Sequence, residues 1–177
     1  MSNNTQTLTL MQGEQTHYLL QAKDRYPVQK MLLWVGKSAI AGRGLFTAQA
    51  IKRGRRIIQY TGEKITKVES DKRLAEGNVY IFALNERYDI DAKAQRHQAR
   101  YINHSCDPNC HVEKTTRTIW IVASRDIRVG EELTYNYGYE LTDTLPHSCT
   151  CGAANCCGSM VAPEYQEVIR QRHAVSD

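Results

Sequence analysis

Four cysteines, Cys149, Cys151, Cys156 and Cys157, stand within nine residues beside Gly152 and Gly158, and two more, Cys106 and Cys110, lie about forty residues upstream. No other feature constrains the chain as much, because so dense a group of thiols calls either for a metal or for disulfides. Met1 to Gln15 are polar and lack the basic start, apolar middle and small-residue cleavage site of a secretory leader. The chain is therefore expected not to take the general export route, and the grouping reads as metal binding before disulfide pairing.

A length of 177 residues fits one domain with a sizeable core. The apolar fraction of 41% and charged fraction of 24% are those of an ordinary soluble protein. No window approaches the ~20 apolar residues of a membrane helix, so no membrane partner is expected. The net charge of +4 is mild and dispersed apart from Lys52-Arg53-Gly54-Arg55-Arg56, which reads as a solvated turn. Direct nucleic-acid binding wants a stronger basic stripe with exposed aromatics and is not expected.

Short β-rich runs recur between turn signals: Met31 to Val35, Gly44 to Phe46, Arg56 to Tyr60, Val79 to Ala83, Thr118 to Ala123 and Glu132 to Tyr135. Two segments read as helix. Thr66 to Glu69 has capping-box spacing before Leu74 and Ala75, and Pro163-Glu164 opens a run with Tyr165, Val168 and Ile169 on one stripe. The fold class is mainly β with short helices, and turns of uneven length favour neither a parallel βαβ sheet nor a regular hairpin barrel.

Gly42-Arg43-Gly44-Leu45-Phe46 follows the opening strand and marks a tight turn or a close approach to a ligand. Arg100 to Cys110 reads RYINHSCDPNC, Gly130 to Tyr139 reads GEELTYNYGY, and Cys149 to Cys156 reads CTCGAANC. Together with Tyr60-Thr61-Gly62-Glu63 and Tyr80-Ile81-Phe82, these stretches resemble SET-domain protein-lysine methyltransferases with a post-SET zinc-binding tail, over roughly residues 30 to 160. The resemblance implies an N-terminal arm (1–28), a SET domain (29–141) of small sheets around a pseudoknot, a post-SET zinc motif (145–161) and a C-terminal helix or tail (162–177).

It also implies methyl transfer from S-adenosylmethionine to a lysine of a histone tail or other protein, in the cytoplasm of a microbe or in a nucleus. The attacking amine must be neutral. At a free lysine pKa of ~10.4, only about one in a thousand is neutral near pH 7.4, which costs roughly 4 kcal/mol. An apolar, aromatic channel and a neighbouring sulfonium charge both lower that pKa. Ten tyrosines against two phenylalanines suit such a channel.

By resemblance Tyr137 is catalytic, Tyr80 is its partner at the amine, and Tyr135 stands where the family alternates Phe and Tyr, a Tyr there favouring one or two methyls over three. The cofactor set so implied is Ala41, Arg43, Gly44, Tyr80, Arg100, Asn103, His104 and Thr150. One structural zinc would be held by Cys106, Cys149, Cys151 and Cys156, leaving Cys110 and Cys157 as spare thiols. Spacing alone leaves open an exchange of Cys149 for Cys157.

Two departures stand out. The first 30 residues hold no cysteine, where many relatives carry a cysteine-rich region, and Asn136 replaces a usual Asp. The rival classes are a non-catalytic reader of lysine peptides and a zinc-organised nucleic-acid adaptor. Asn103, His104 and Tyr137 speak against the first, and dispersed charge against the second.

Overall fold

A computed structural model describes residues 31–141 and 147–175; the expected arm, 1–28, lies outside them. The β-branched and aromatic residues on either side of a serine-glycine turn make a hairpin. In it β1 (Leu33–Lys37) lies antiparallel to β2 (Arg43–Thr47), with Leu33 opposite Thr47 and Lys37 opposite Arg43. Gly42 takes the left-handed φ of 45° that lets the chain reverse there. Trp34 stacks on Phe46 at 4.5 Å and lies over Gly36, where any Cβ would meet the indole at 2.1 Å.

The apolar run Ile119 to Ala123 becomes β9 (Ile119–Ala123), the centre of a three-stranded antiparallel sheet between β3 (Arg56–Gln59) and β8 (Cys110–Lys114). Ile119, Ile121, Val122 and Ala123 are all buried, as a strand covered on both faces requires. A second three-stranded sheet centres on β6 (Tyr88–Asp91), flanked by β4 (Glu63–Thr66) and β5 (Ile81–Ala83).

β4 runs straight into α1 (Lys67–Ala75), and Thr66 caps the helix by accepting from the Glu69 N–H at 3.3 Å, as the capping spacing predicts. α1 buries only Ser70, so charge holds it down. Lys67 pairs with the buried Asp89 at 2.5 Å, and Arg73 gathers Glu63, Glu69 and the buried Asp91 at 2.6–2.7 Å.

Burial by itself would raise the Asp91 carboxyl, but Arg73, the Asn78 amide and the Lys93 N–H hold it below its ordinary range. A depressed carboxyl stabilises the fold at neutral pH, and that contribution is lost as pH falls through its folded pKa. Arg73→Ala is therefore expected to lower the thermal midpoint at pH 7, with the gap to the parent narrowing as pH falls through the carboxylate range. Thermal melts of both chains across that range check it, and a gap independent of pH would refute the assignment.

The remaining pair is the one that builds the site. β7 (Asn103–His104) follows a 3-10 turn over Gln98–Tyr101 and lies parallel to β10 (Thr134–Tyr135). After the cysteine-rich segment, a 3-10 turn at Pro163–Tyr165 leads into α2 (Gln166–Val175). Ile169 is fully buried and Tyr165 partly so, but Val168 is 41% exposed and falls off the expected stripe.

Most observed strands are shorter than the expected runs, while β2 runs one residue further at each end. The first begins at Leu33 instead of Met31, and the run Glu132 to Tyr135 is a strand only at its last two residues, with Glu132 forming a lone bridge to Phe46. β4, β6, β7 and β8 fall outside the expected runs.

Candidate active site and thiol centre

Two short extended pieces, about thirty residues apart in sequence, meet side by side. Asn103 stands opposite Thr134 and His104 opposite Tyr135. The Ser105 N–H continues the ladder to the Tyr135 carbonyl at 3.2 Å. Buried Asn109 locks the arrangement, its amide donating to the Glu132 carbonyl at 2.7 Å and its Oδ1 accepting from the Thr134 N–H at 2.9 Å.

Beyond this ladder the aromatic residues form a continuous wall. Tyr60 packs edge-on against Phe82 at 5.1 Å, Phe82 stacks on Tyr135 at 5.7 Å, Tyr135 meets Tyr137 at 5.0 Å, and Tyr137 meets Tyr139 at 6.1 Å. The Tyr137 hydroxyl donates to the Ile102 carbonyl at 3.0 Å, and that of Tyr60 to the Tyr80 carbonyl at 3.1 Å. Burial pushes the phenols of Tyr60, Tyr135 and Tyr137 well above their ordinary range. Burial holds them in the neutral form near pH 7, the form that supplies a hydrogen bond and apolar surface.

His104 is buried behind this wall. Its Nδ1 accepts from the Tyr137 N–H at 3.1 Å, its Nε2 lies 3.5 Å from the Cys106 thiol, and its ring meets Tyr137 edge-on at 5.4 Å. Desolvation lowers its pKa to about 4, so the ring is neutral, with the Nε2 proton directed at sulfur. Both ring nitrogens are thus engaged inside the protein, and a ligand would meet His104 through its backbone.

The candidate cofactor residues gather on the other side of β7. The Asn103 amide nitrogen stands within 3.2 Å of four acceptors: Ser38 Oγ, the carbonyls of Ala41 and Arg43, and Glu132 Oε1 at 2.8 Å. Ser38 also donates to the Glu132 carboxylate at 2.8 Å. Gly44 makes the approach feasible, since a Cβ there would come within 2.3 Å of Glu132 Oε1. Glu132 and Ser38 are absent from the sequence-derived set. The signal for Glu132 lay in the GEELTY run, whereas nothing local marked Ser38.

Arg43 is exposed, with its guanidinium 4.9 Å from the centre of the Tyr101 ring. Arg100 lies 3.6 Å over Tyr80 and 5.3 Å from Tyr101, and donates to the Lys93 carbonyl, while its buried Nε has no hydrogen-bond partner among the described residues. Tyr80 is therefore tied to Arg100, and its ring is not one of the stacked members of the wall. Thr150 is exposed between two cysteines.

The thiols of Cys106, Cys149, Cys151 and Cys156 all lie within 4.8 Å of one another. Four thiolates at the ~2.3 Å of a zinc–sulfur bond stand ~3.8 Å apart on a tetrahedron, and Cys106 Sγ is 3.8 Å from Cys149 and 3.9 Å from Cys156. Backbone N–H groups serve the sulfurs, Cys106 to Cys151 at 3.4 Å and Gly158 to Cys156 at 3.5 Å. Burial opposes ionisation of Cys151, but the N–H groups of Cys106 and Ala153 bring its pKa down to about 7. The donor set and spacing fit a closed four-thiolate zinc site. Cys110 is buried elsewhere, against Asn109, so it is not a member.

Residues 42–138 match the family model described as SET domain. Three curated relatives align over 70–73% of the chain. They are Histone-lysine N-methyltransferase 2B of Homo sapiens at 41% identity, Histone-lysine N-methyltransferase trr of Drosophila melanogaster at 40%, and Histone-lysine N-methyltransferase, H3 lysine-4 specific, of Schizosaccharomyces pombe at 39%. The matched region spans only 5%, 6% and 15% of their respective lengths.

Proposed function

The chain belongs to the SET-domain family, and from that premise we propose that it transfers a methyl group from S-adenosylmethionine to the side-chain amine of a lysine in a protein, a histone in the first instance. One observation carries the reading: the parallel pairing of β7 with β10, which sets the Asn103 side and the tyrosine wall on either side of one ladder. The names of the three relatives support a histone substrate and hence action at chromatin. Among the described residues no helix is long and apolar enough to cross a membrane. The division into a SET domain over 29–141, a post-SET motif over 145–161 and a tail from 162 is the frame we adopt.

The cofactor supplies a methyl group on a positively charged sulfur. The chain's own residues must hold that group and present a neutral amine to it. The unpartnered Arg100 Nε, the exposed Arg43 guanidinium and the backbone of Ala41, Gly44, Asn103 and His104 offer the directional polar contacts that a zwitterionic ligand without phosphate requires, with Thr150 reaching it from the tail. Tyr80, its ring face covered by the Arg100 guanidinium, meets the amine from the edge, and Tyr135 and Tyr137 wall it in. Their rings desolvate the ammonium and so lower its pKa, and their neutral hydroxyls orient the lone pair. A zinc held by Cys106, Cys149, Cys151 and Cys156 would be structural, since four thiolates leave no open position.

The Tyr135 hydroxyl adds a hydrogen bond that resists rotation of a methylated amine, so the product stops at mono- or dimethyl-lysine. Tyr135→Phe is expected to raise the trimethyl share in mass spectra of a methylated histone; a parent enzyme already making mostly trimethyl-lysine would refute the assignment. The function itself is tested by incubating the zinc-loaded chain with radiolabelled S-adenosylmethionine and core histones. Incorporation that disappears in Tyr137→Phe is expected. Folded, zinc-loaded protein that labels neither histones nor a whole-cell extract would overturn the proposal.

A further inference from the structure

Cys157 is the thiol that the four-ligand set leaves over, and its position is specific. Its sulfur lies 3.9 Å from Cys106 Sγ, the same separation as Cys156 from Cys106 and close to the ~3.8 Å edge of a zinc–thiolate tetrahedron. It is 2% exposed, whereas Cys156 beside it in sequence is half-buried. The Cys157 thiol donates to the Ser159 carbonyl at 3.1 Å, the bond of a protonated sulfur waiting outside the coordination sphere. Gly158, in the left-handed region at φ 76°, turns the chain directly after it.

We propose that Cys157 is a reserve metal ligand. It replaces Cys156, and the site becomes Cys106, Cys149, Cys151 and Cys157. The edge it already makes is to Cys106, so the exchange keeps Cys106 and releases the half-exposed neighbour. The chain slips by one residue, with Gly158 as the pivot, and the Cys157 proton leaves to solvent as the sulfur binds. Coordination thus survives loss of the ligand that solvent reaches. This inference rests on the zinc reading above.

Cobalt(II), which reports thiolate number through its charge-transfer and ligand-field absorbance, separates the two readings. The metal-free parent chain, Cys157→Ser, Cys156→Ser and the double variant are each titrated with cobalt(II), and zinc content is measured after purification. The parent and Cys157→Ser are expected to bind one ion with a four-thiolate spectrum. Cys156→Ser should keep that spectrum with an affinity within ~10-fold of the parent, the smaller end of what a changed outer shell costs. The double variant should lose the four-thiolate spectrum and bind more than ~100-fold more weakly, beyond what an outer-shell change explains. If Cys156→Ser behaves like the double variant, the reserve role is wrong while the zinc site stands. If the parent chain binds no cobalt or zinc, both readings fall.

Discussion

Tyr137→Phe is expected to lower methyl-transfer turnover by roughly 10²–10⁴-fold, the span of a positioned hydrogen-bonding or proton-handling group, in a chain that stays folded and metal-loaded. The structural loss is small. Among the described residues the hydroxyl donates to the Ile102 carbonyl, and a hydrogen bond of that kind contributes about 1 kcal/mol. The ring stays, so its contacts with Tyr135, Tyr139 and His104 persist. What disappears is the neutral phenol that we propose aligns the amine. Single-turnover rates, thermal midpoints and zinc content of parent and variant decide the matter, and unchanged turnover would remove Tyr137 from catalysis.

Cys106→Ser has the broadest expected effect, because one sulfur serves two parts of the molecule. It is a corner of the thiol tetrahedron and the neighbour of His104 Nε2. Structural zinc in small domains contributes ~10–16 kcal/mol of apparent binding energy that is also folding energy, and a hydroxyl is a poor substitute for a thiolate. Cys157 offers no rescue, since its contact of tetrahedral length is to Cys106 itself. The variant should lose stoichiometric zinc, bind S-adenosylmethionine more weakly and turn over little product. Cys110→Ser, at an equally buried thiol away from the cluster, should keep its metal. Elemental analysis and calorimetric titration of the cofactor distinguish the two, and a Cys106→Ser chain with full zinc and normal affinity would refute the link.

The legible parts of the fold were those whose residues announce their own environment. Thr118 to Ala123 reads as a strand and is one from Ile119 on, and Thr66 reads as a helix cap and caps α1. β6 escaped because Asp89 and Asp91 face inward, so alternation of apolar and polar residues signals nothing until Lys67 and Arg73 are seen to neutralise them. β4 is similarly disguised by Glu63 and Lys64.

At the site, the motifs led to the wall, the Asn103 loop and the thiols. They did not reveal that the His104 imidazole is turned to Tyr137 and Cys106, or that Glu132 and Ser38 complete the Asn103 hub. Apart from His104 to Cys106, two residues apart, those contacts span 29 to 94 residues and depend on tertiary geometry. Among the described residues the sulfurs of Cys106, Cys149, Cys151 and Cys156 converge, a grouping that only the fold displays.

The thiol cluster joins Cys106 to a partner 43 residues later, and this has a kinetic meaning. During synthesis, the strand that carries Asn103 and His104 emerges well before the cysteines that complete the cluster. Closing a loop of that length costs chain entropy, much of it already met when β7 pairs with β10 and β8 with β9. A metal held there could be enclosed only once the last of these cysteines is made, and a nascent or C-terminally clipped chain would carry the tyrosine wall without that clasp.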